Sequence, residues 1–448
     1  MDKIPSFKAY DIRGKVPSEL NTELAYKIGR AFGSLLKCNS VVIGRDVRKS
    51  SPELSDALAN GLTESGSNVI DLGMCGTEMI YFGTPYLNAD GGIMITASHN
   101  PPEYNGLKFV KRGSVPMGYD AGLNLIERMI LEDNLGEPAA VKGTVITKDI
   151  MEPFISKLRH FYDPEKIAPL KVVVNGGNGC VGPALDILEK VLPVKMFKIF
   201  NEPDSNFPNG VPNPLLPENR QATIDAIKKF GADLGVAWDG DYDRCFFFDE
   251  KANFIEGYYI VGLLAKSILR TNPGAKIIHD PRLVWNTLDV VAKAGGEAIV
   301  SKSGHAFIKQ KMREQEAIYG GEMSAHHYFR DNSYSDSGLI PFLLILQLLS
   351  EEKLKMSELV GYMVKAYPCS GEINSTVKDA AGKIEEIRKK YTGGEDNELD
   401  GLSVEYPDWR FNIRMSNTEP LLRLNVESRS DENLMKMKTG ELLNFIRK

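Results

Sequence analysis

A chain of 448 residues with 42% hydrophobic and 25% charged side chains is longer than one core usually organises, so two to four domains of ordinary globular composition are expected. A net charge of −6 offers no electrostatic footprint for nucleic acid, and the most apolar stretch, Leu339 to Leu349, contains Pro341 and Gln347 and is too short to span a bilayer. Met1-Asp2-Lys3-Ile4-Pro5 begins no signal peptide, and the five scattered cysteines (38, 75, 180, 245 and 369) lack metal-ligand spacing, which fits a reduced, cytoplasmic protein.

In chain order, the first predicted strand is the apolar run Val41 to Ile43, ending in the polar turn Gly44-Arg45-Asp46. A helix over Ser51 to Ser65 follows, with Ser50 and Ser51 as its caps, then strands over Asn68 to Leu72 and Gly91 to Thr96. The plan repeats with a strand at Lys171 to Asn175, a helix at Pro183 to Val191, and strands at Val194 to Phe200 and Leu234 to Trp238. Between these last two lies Pro203 to Pro217, a rigid loop with five prolines and no functional assignment. A third repetition places strands at Lys276 to Asp280, at Glu297 to Ser301 and just before Glu322, and then a buried helix over Leu339 to Leu349. After residue 366 the pattern changes. Pro368-Cys369-Ser370-Gly371-Glu372 breaks the chain and Gly393 to Asp396 reads as a charged turn. Strands over Gly401 to Tyr406, Trp409 to Met415 and Leu421 to Glu427 alternate with helices over Asp379 to Tyr391 and Glu432 to Arg447. The expected fold class is α/β: three similar α/β units with mixed sheets, plus a smaller C-terminal α+β domain, around a central cleft. The boundaries are 1–144, 145–249, 250–366 and 367–448.

The third strand of each unit ends in a loop of reactive side chains. In the first, Ser98 stands at the centre of Thr96-Ala97-Ser98-His99-Asn100-Pro101-Pro102-Glu103-Tyr104-Asn105-Gly106, with His99 beside it and Lys108 ten residues on. A serine hydroxyl is a poor nucleophile at neutral pH and needs a base, a metal or prior phosphorylation. The second loop supplies a candidate metal site: Asp239, Asp241 and Asp243 alternate directly after a strand, and three carboxylates at this spacing can converge on one hard cation such as Mg²⁺. An EF-hand would need a glycine where Arg244 stands, and the run Cys245 to Phe248 reads instead as a returning strand. The third loop offers Glu322 and Ser324, which suit vicinal sugar hydroxyls, with His326 and His327 close by; the chain lacks the cysteine spacing of a zinc site. Near the C-terminus, Arg414, Ser416, Asn417 and Thr418 fall within five positions and Arg423 follows, a set suited to holding a phosphate.

Together these motifs resemble the α-D-phosphohexomutase superfamily, and within it the bacterial phosphomannomutases. Ala9 to Gly14 is similar to the opening motif, Thr96 to Gly106 to the phosphoserine loop, Asp239 to Arg244 to the metal loop, Gly321 to His326 to the sugar-selecting loop and Arg414 to Pro420 to the phosphate loop. They occur in the family's order from residue 9 to residue 423. The Glu-Met-Ser-Ala-His-His wording is closer to phosphomannomutases than to phosphoglucosamine mutases. Two positions depart from the pattern: Arg282 stands where relatives often place a lysine, and Tyr242 replaces the commoner glycine of the metal loop.

The resemblance implies four domains carrying, in turn, the phosphoserine, the metal, the sugar contacts and the phosphate contacts. It implies a resting enzyme phosphorylated on Ser98, with one Mg²⁺ held by Asp239, Asp241, Asp243 and a phosphate oxygen on Ser98. Arg244 would spread charge on the transferring group, and Lys108, His99 and Arg13 are alternatives for proton transfer or charge stabilisation, Lys108 first because its loop position puts it near Ser98. Arg282, His305, Glu322, Ser324 and His326 would contact the sugar, and Arg414, Ser416, Asn417, Thr418 and Arg423 the non-reacting phosphate. The implied reaction interconverts mannose 6-phosphate and mannose 1-phosphate through a 1,6-bisphosphate, supplying sugar nucleotide synthesis, with glucose or mannose 1,6-bisphosphate as activator. Hexose phosphates are the expected partners, without nucleic acid or membrane, and the chain would be a monomer or homodimer. Equal use of glucose phosphates stays open, because one hydroxyl's orientation separates the sugars. A sugar phosphate hydrolase would need a second metal or a water-positioning base, and a silent binding protein would have no use for Ser98 together with the acidic loop.

Overall fold

The computed structural model describes residues 3–415 and 421–448, so Ser416, Asn417 and Thr418 lie outside the described residues. The chain forms two compact units, residues 1–254 with 328–353, and residues 255–327 with 354–448.

One strand arrangement occurs three times. In the first unit, Ser40–Arg45 runs parallel to Asn68–Met74 on one side and to Gly91–Ile95 on the other. Lys171–Asn175 is flanked in the same way by Lys195–Ile199 and Leu234–Trp238. In the second unit, Lys276–His279 lies between Glu297–Val300 and Tyr319–Gly321, again all parallel. Parallel neighbours need crossovers, supplied by helices such as Ser51–Glu64, Gly182–Val191 and Trp285–Lys293. Because the first strand is central and the next two lie on opposite sides, strand order reverses beside it. Loops at the carboxyl ends of the first and third strands therefore diverge and leave room for ligand. The central strands are apolar throughout, as both faces require: Val41, Val42, Val172, Val173 and Val174 are fully buried.

In the first unit, antiparallel strands make the sheets mixed. Tyr104–Lys111 pairs with Gly91–Ile95, with Lys108 opposite Met94, and Cys245–Phe248 pairs with Leu234–Trp238. Helix Leu339–Glu352 is the expected buried helix, and the Trp238 indole at the end of its strand donates to Gly338 O at 3.0 Å. The start of that helix is met by a buried carboxylate: Glu78 accepts from Ser337 Oγ (2.5 Å), Gly338 N (2.7 Å) and Leu339 N (3.1 Å). Burial nevertheless pushes the Glu78 carboxyl up to about 8, these donors opposing it. Ser50 is not the side-chain cap expected from the sequence. Its hydroxyl accepts from Asn105 Nδ2 (2.9 Å), while Ser51 Oγ donates to Asp46 Oδ1 (2.6 Å), so both hydroxyls serve tertiary bonds.

In the second unit, residues after 366 form an antiparallel sheet in the order Ile373–Thr376, Leu421–Ser428, Trp409–Met415, Leu402–Glu405, Glu395–Asn397. Helices Ala380–Lys390 and Glu432–Ile446 cover a core that includes Phe411, Ile413, Leu424, Leu442 and Ile446. Glu395–Asn397, read from sequence as part of a turn, is an exposed edge strand; with both faces in solvent it carries no apolar alternation to betray it. No helix among the described residues is long and apolar enough to cross a membrane.

Candidate active site

Ser98 leaves its strand in the left-handed region (φ 51°), held by its own amide donating to Thr96 Oγ1 at 2.8 Å. Beneath the loop lies Arg48, which is 2% exposed. Each of its five guanidinium N–H groups meets an acceptor: Nε donates to Asp46 Oδ2 (3.2 Å), Nη1 to Pro101 O (2.7 Å) and Tyr104 O (3.0 Å), and Nη2 to Ser98 O (3.0 Å) and Asn100 O (2.6 Å). The loop is thus wound around one buried cation. The proline-rich segment packs against the same region, with Phe207 over the Arg48 guanidinium at 5.5 Å. Arg13 braces the outer side, donating to Asn100 Oδ1 (2.6 Å), Ala97 O (3.2 Å) and Asp11 Oδ2 (2.6 Å).

The acidic loop meets the serine loop directly. Ser98 Oγ donates to Asp239 Oδ2 at 2.6 Å. A Cβ placed on Gly240 would lie 2.5 Å from Ser98 O, so only glycine permits this approach. Arg244 Nε donates to Asp239 Oδ2 (2.9 Å), and its Nη2 reaches Ser98 Oγ (3.4 Å) and His99 Nδ1. Arginine can only donate, so His99 Nδ1 accepts and the ring proton sits on Nε2. Burial and the neighbouring Arg244 hold this imidazole well below its ordinary range, hence neutral. Its lone pair is occupied by Arg244, which leaves Asp239 as the acceptor of the Ser98 proton.

Lys108 departs from expectation. It lies within the strand Tyr104–Lys111, not on the loop, and its ammonium bonds Asp241 Oδ2 (2.7 Å) and Asp243 Oδ2 (2.5 Å). Burial alone would lower the Lys108 pKa, but the two carboxylates outweigh it and raise it. Burial pushes the Asp241 carboxyl up, yet Lys108 and a 2.5 Å hydrogen bond from Thr77 Oγ1 hold it below the usual range. Asp239 and Asp243 are shifted the other way, by burial first. Ligand oxygens of Asp239, Asp241 and Asp243, all buried, lie within 4.8 Å of one another. Acidic neighbours add to the upward push on Asp239 and Asp243, and among the described residues Asp241 Oδ1 is buried without a hydrogen-bond partner. An all-oxygen, acid-rich set with an unspent oxygen fits a hard divalent cation. Tyr242, where the commoner residue is glycine, has φ 46° and is fully buried with its ring against Gly76; the backbone there favours glycine and the packing offsets its strain.

In the second unit Arg282 is a hub. Asp280 takes its Nε (3.1 Å), its Nη2 (2.9 Å) and its own amide (2.9 Å); Nη2 also approaches Ser324 Oγ (3.2 Å) and Glu322 Oε1 (3.4 Å), and Nη1 reaches Glu372 Oε2 (3.3 Å). Glu322 Oε1 accepts from Gly304 N (2.8 Å) just before helix His305–Gln315, and Oε2 faces His326 Nδ1 at 3.4 Å. Arg414 and Arg423 both reach Glu372. Arg48, Asp46, Thr77 and Glu372 were missed from the sequence. The Asp46-Val47-Arg48 spacing after an apolar strand is the one signal available for the first two, and nothing local marks the others.

A buried serine hydroxyl bonded to an acidic cluster, on sheets of this order, points to a class that comparison makes specific. Four segments match, in order, phosphoglucomutase/phosphomannomutase alpha/beta/alpha domain I (residues 5–135), domain II (152–253), domain III (256–367) and the C-terminal domain (372–442). A curated relative described as phosphohexose mutases, from Xanthomonas campestris pv. campestris, is 52% identical over 449 residues, covering 99% of each chain. The phosphomannomutase of Escherichia coli strain K12 is 51% identical over 454 residues, covering 100% of each. The crystal structure of a phosphoglucomutase/phosphomannomutase family protein from Burkholderia thailandensis superposes with a TM-score of 0.87 at 35% identity, over 99% of this chain and 98% of that one. The chain belongs to the phosphoglucomutase/phosphomannomutase family, and so is an isomerase that transfers a phosphoryl group within a sugar phosphate.

Proposed function

We propose that this enzyme interconverts mannose 6-phosphate and mannose 1-phosphate, with Ser98 as the residue that gives and regains the phosphoryl group. The observation that carries this reading is the buried Ser98 hydroxyl, hydrogen-bonded to Asp239 at 2.6 Å inside a cluster of three carboxylates and two cations. Asp239, Asp241 and Asp243, with a phosphate oxygen on Ser98, would hold one Mg²⁺, which when bound neutralises charge on the phosphoryl oxygens. Arg244 stabilises the same charge from the Ser98 side, and Arg13 and Arg48 keep the loop in place for in-line transfer. His99, kept neutral, orients Arg244. Lys108 balances Asp241 and Asp243 in the resting arrangement and is the candidate for shuttling the substrate hydroxyl proton.

Glu322, Ser324, His326 and His305 are assigned to the sugar hydroxyls, with Arg282 holding Glu322 and Ser324 in place. Arg414 and Arg423, with Ser416, Asn417 and Thr418, are assigned to the non-reacting phosphate. The phosphoserine donates to the free hydroxyl, a 1,6-bisphosphate forms and turns, and its other phosphate returns to Ser98. Bisphosphate lost to solution leaves Ser98 unphosphorylated, so glucose or mannose 1,6-bisphosphate would activate the enzyme. The four segments 1–144, 145–249, 250–366 and 367–448 are proposed to divide phosphoserine, metal, sugar and phosphate duties. The five free cysteines suit a cytoplasmic setting. Intact mass should show a phosphate-sized excess that Ser98→Ala abolishes together with turnover; an active Ser98→Ala enzyme would refute the mechanism. Coupled assays with mannose and glucose 1-phosphates side by side test the substrate.

A further inference from the structure

Arg414 and Arg423 are directly opposite each other on the antiparallel strands Trp409–Met415 and Leu421–Ser428. Like charges in register on one face repel, so the pair needs an anion between them. Glu372 provides it. Arg414 Nη2 donates to Glu372 Oε2 at 3.1 Å and Arg423 Nη1 to Oε1 at 3.3 Å. Glu372 owes this position to the next strand: Ile373–Thr376 pairs along the far side of Leu421–Ser428, with Asn374 opposite Arg423, so Glu372, two residues before Asn374, falls on the arginine face. Arg282 adds a third guanidinium to the same carboxylate but is already bound by Asp280 and Glu322. Burial would raise the Glu372 carboxyl, and the three arginines instead hold it at about 2, so it stays ionised. A guanidinium fork takes a carboxylate or a phosphate with the same geometry.

We propose that Glu372 is a built-in competitor for the phosphate monoester that Arg414 and Arg423 bind. It keeps the two arginines aligned when no phosphate is present, and its charge weakens the bound phosphate's hold. This rests on the assignment of Arg414 and Arg423 to the substrate phosphate. It addresses a requirement of that assignment: a bisphosphate that must let go by one end and return by the other cannot be gripped by uncompensated arginines.

Glu372→Gln keeps the side chain's size and removes its charge. Calorimetric titration with inorganic phosphate should give a Kd about tenfold lower than wild type, the scale of one partly screened charge contact. Phosphate should also raise the melting temperature more than in wild type, and kcat should fall along with KM. Unchanged or weaker phosphate binding by the folded variant would overturn the proposal. If the variant fails to fold without phosphate, saturating phosphate should restore folding, and failure there overturns the proposal too. Arg414→Ala separates the two ideas. Wild-type phosphate binding by Arg414→Ala would defeat the parent assignment and this proposal with it. If Arg414→Ala loses phosphate binding while Glu372→Gln shows no gain, the competitor role alone is refuted.

Discussion

Replacing Arg48 tests whether the serine loop depends on its buried cation. Arg48→Met keeps the volume of the stem but strips five hydrogen bonds and leaves the buried Asp46 with Ser51 Oγ, the Ala97 amide and the amide of residue 48 as its donors, and no cation. Removing one partner of a buried ion pair costs about 3–5 kcal/mol. The lost bonds to four carbonyls overlap with that cost because they share one group, so about 4 kcal/mol is the working figure. At about 2–4 °C per kcal/mol for a unit of this size, the first transition in calorimetry should fall by about 8–16 °C. Loosening the loop also displaces Ser98, and an ångström of misplacement costs about a hundredfold in kcat. KM should change little, because the residues assigned to the sugar are elsewhere in the chain. Arg48→Lys, with three N–H groups for five acceptors, should fall between. A methionine variant that melts with the wild type and keeps its kcat would show that the loop is held by other means.

Asp241→Asn should weaken Mg²⁺ binding by an order of magnitude or more, since one of three charged ligands is lost, and a calorimetric Mg²⁺ titration matching wild type would contradict the metal assignment. Glu78→Gln probes pH dependence. A carboxyl raised to about 8 in the fold contributes stability that is complete below its ordinary 4.5 and drains away as pH climbs to about 8. Wild type should therefore lose stability across that window relative to Glu78→Gln, on the order of a few kcal/mol and read as a falling melting temperature, and parallel curves would refute the reasoning.

Strand-end loops were readable because their neighbours are short apolar runs and their own residues are turn formers and acids. Ser98 and the Asp239 to Arg244 run could be found that way, since Ser98 stands three residues past its strand and the run starts directly after its own. The repeated plan was visible for the same reason, with Val172 to Val174 as plain as any buried strand can be. What stayed hidden depends on distance along the chain. Arg48 meets its carbonyls 50 to 56 residues away, and Glu372 meets Arg282 from 90 away. Lys108 was misplaced because Asn105 and Gly106 look like turn residues, although Tyr104–Lys111 is one continuous strand. Ser50 and Ser51 have the composition of helix caps, but Asp46 and Asn105 compete successfully for their hydroxyls.

The close approach of Gly240 to Ser98 O has a mechanical meaning. Two loops from separate sheets touch main chain to main chain, with no side chain interposed as a spacer. The interval between the serine oxygen and the acidic cluster is therefore gauged by the peptide backbone, which does not change when surrounding residues drift. Side chains around the reaction can be exchanged to suit a different sugar while that gauge stays put. The residue that would alter it is the one without a side chain: any Cβ at position 240 would act as a wedge and push the serine loop away from the acidic cluster proposed to hold the metal.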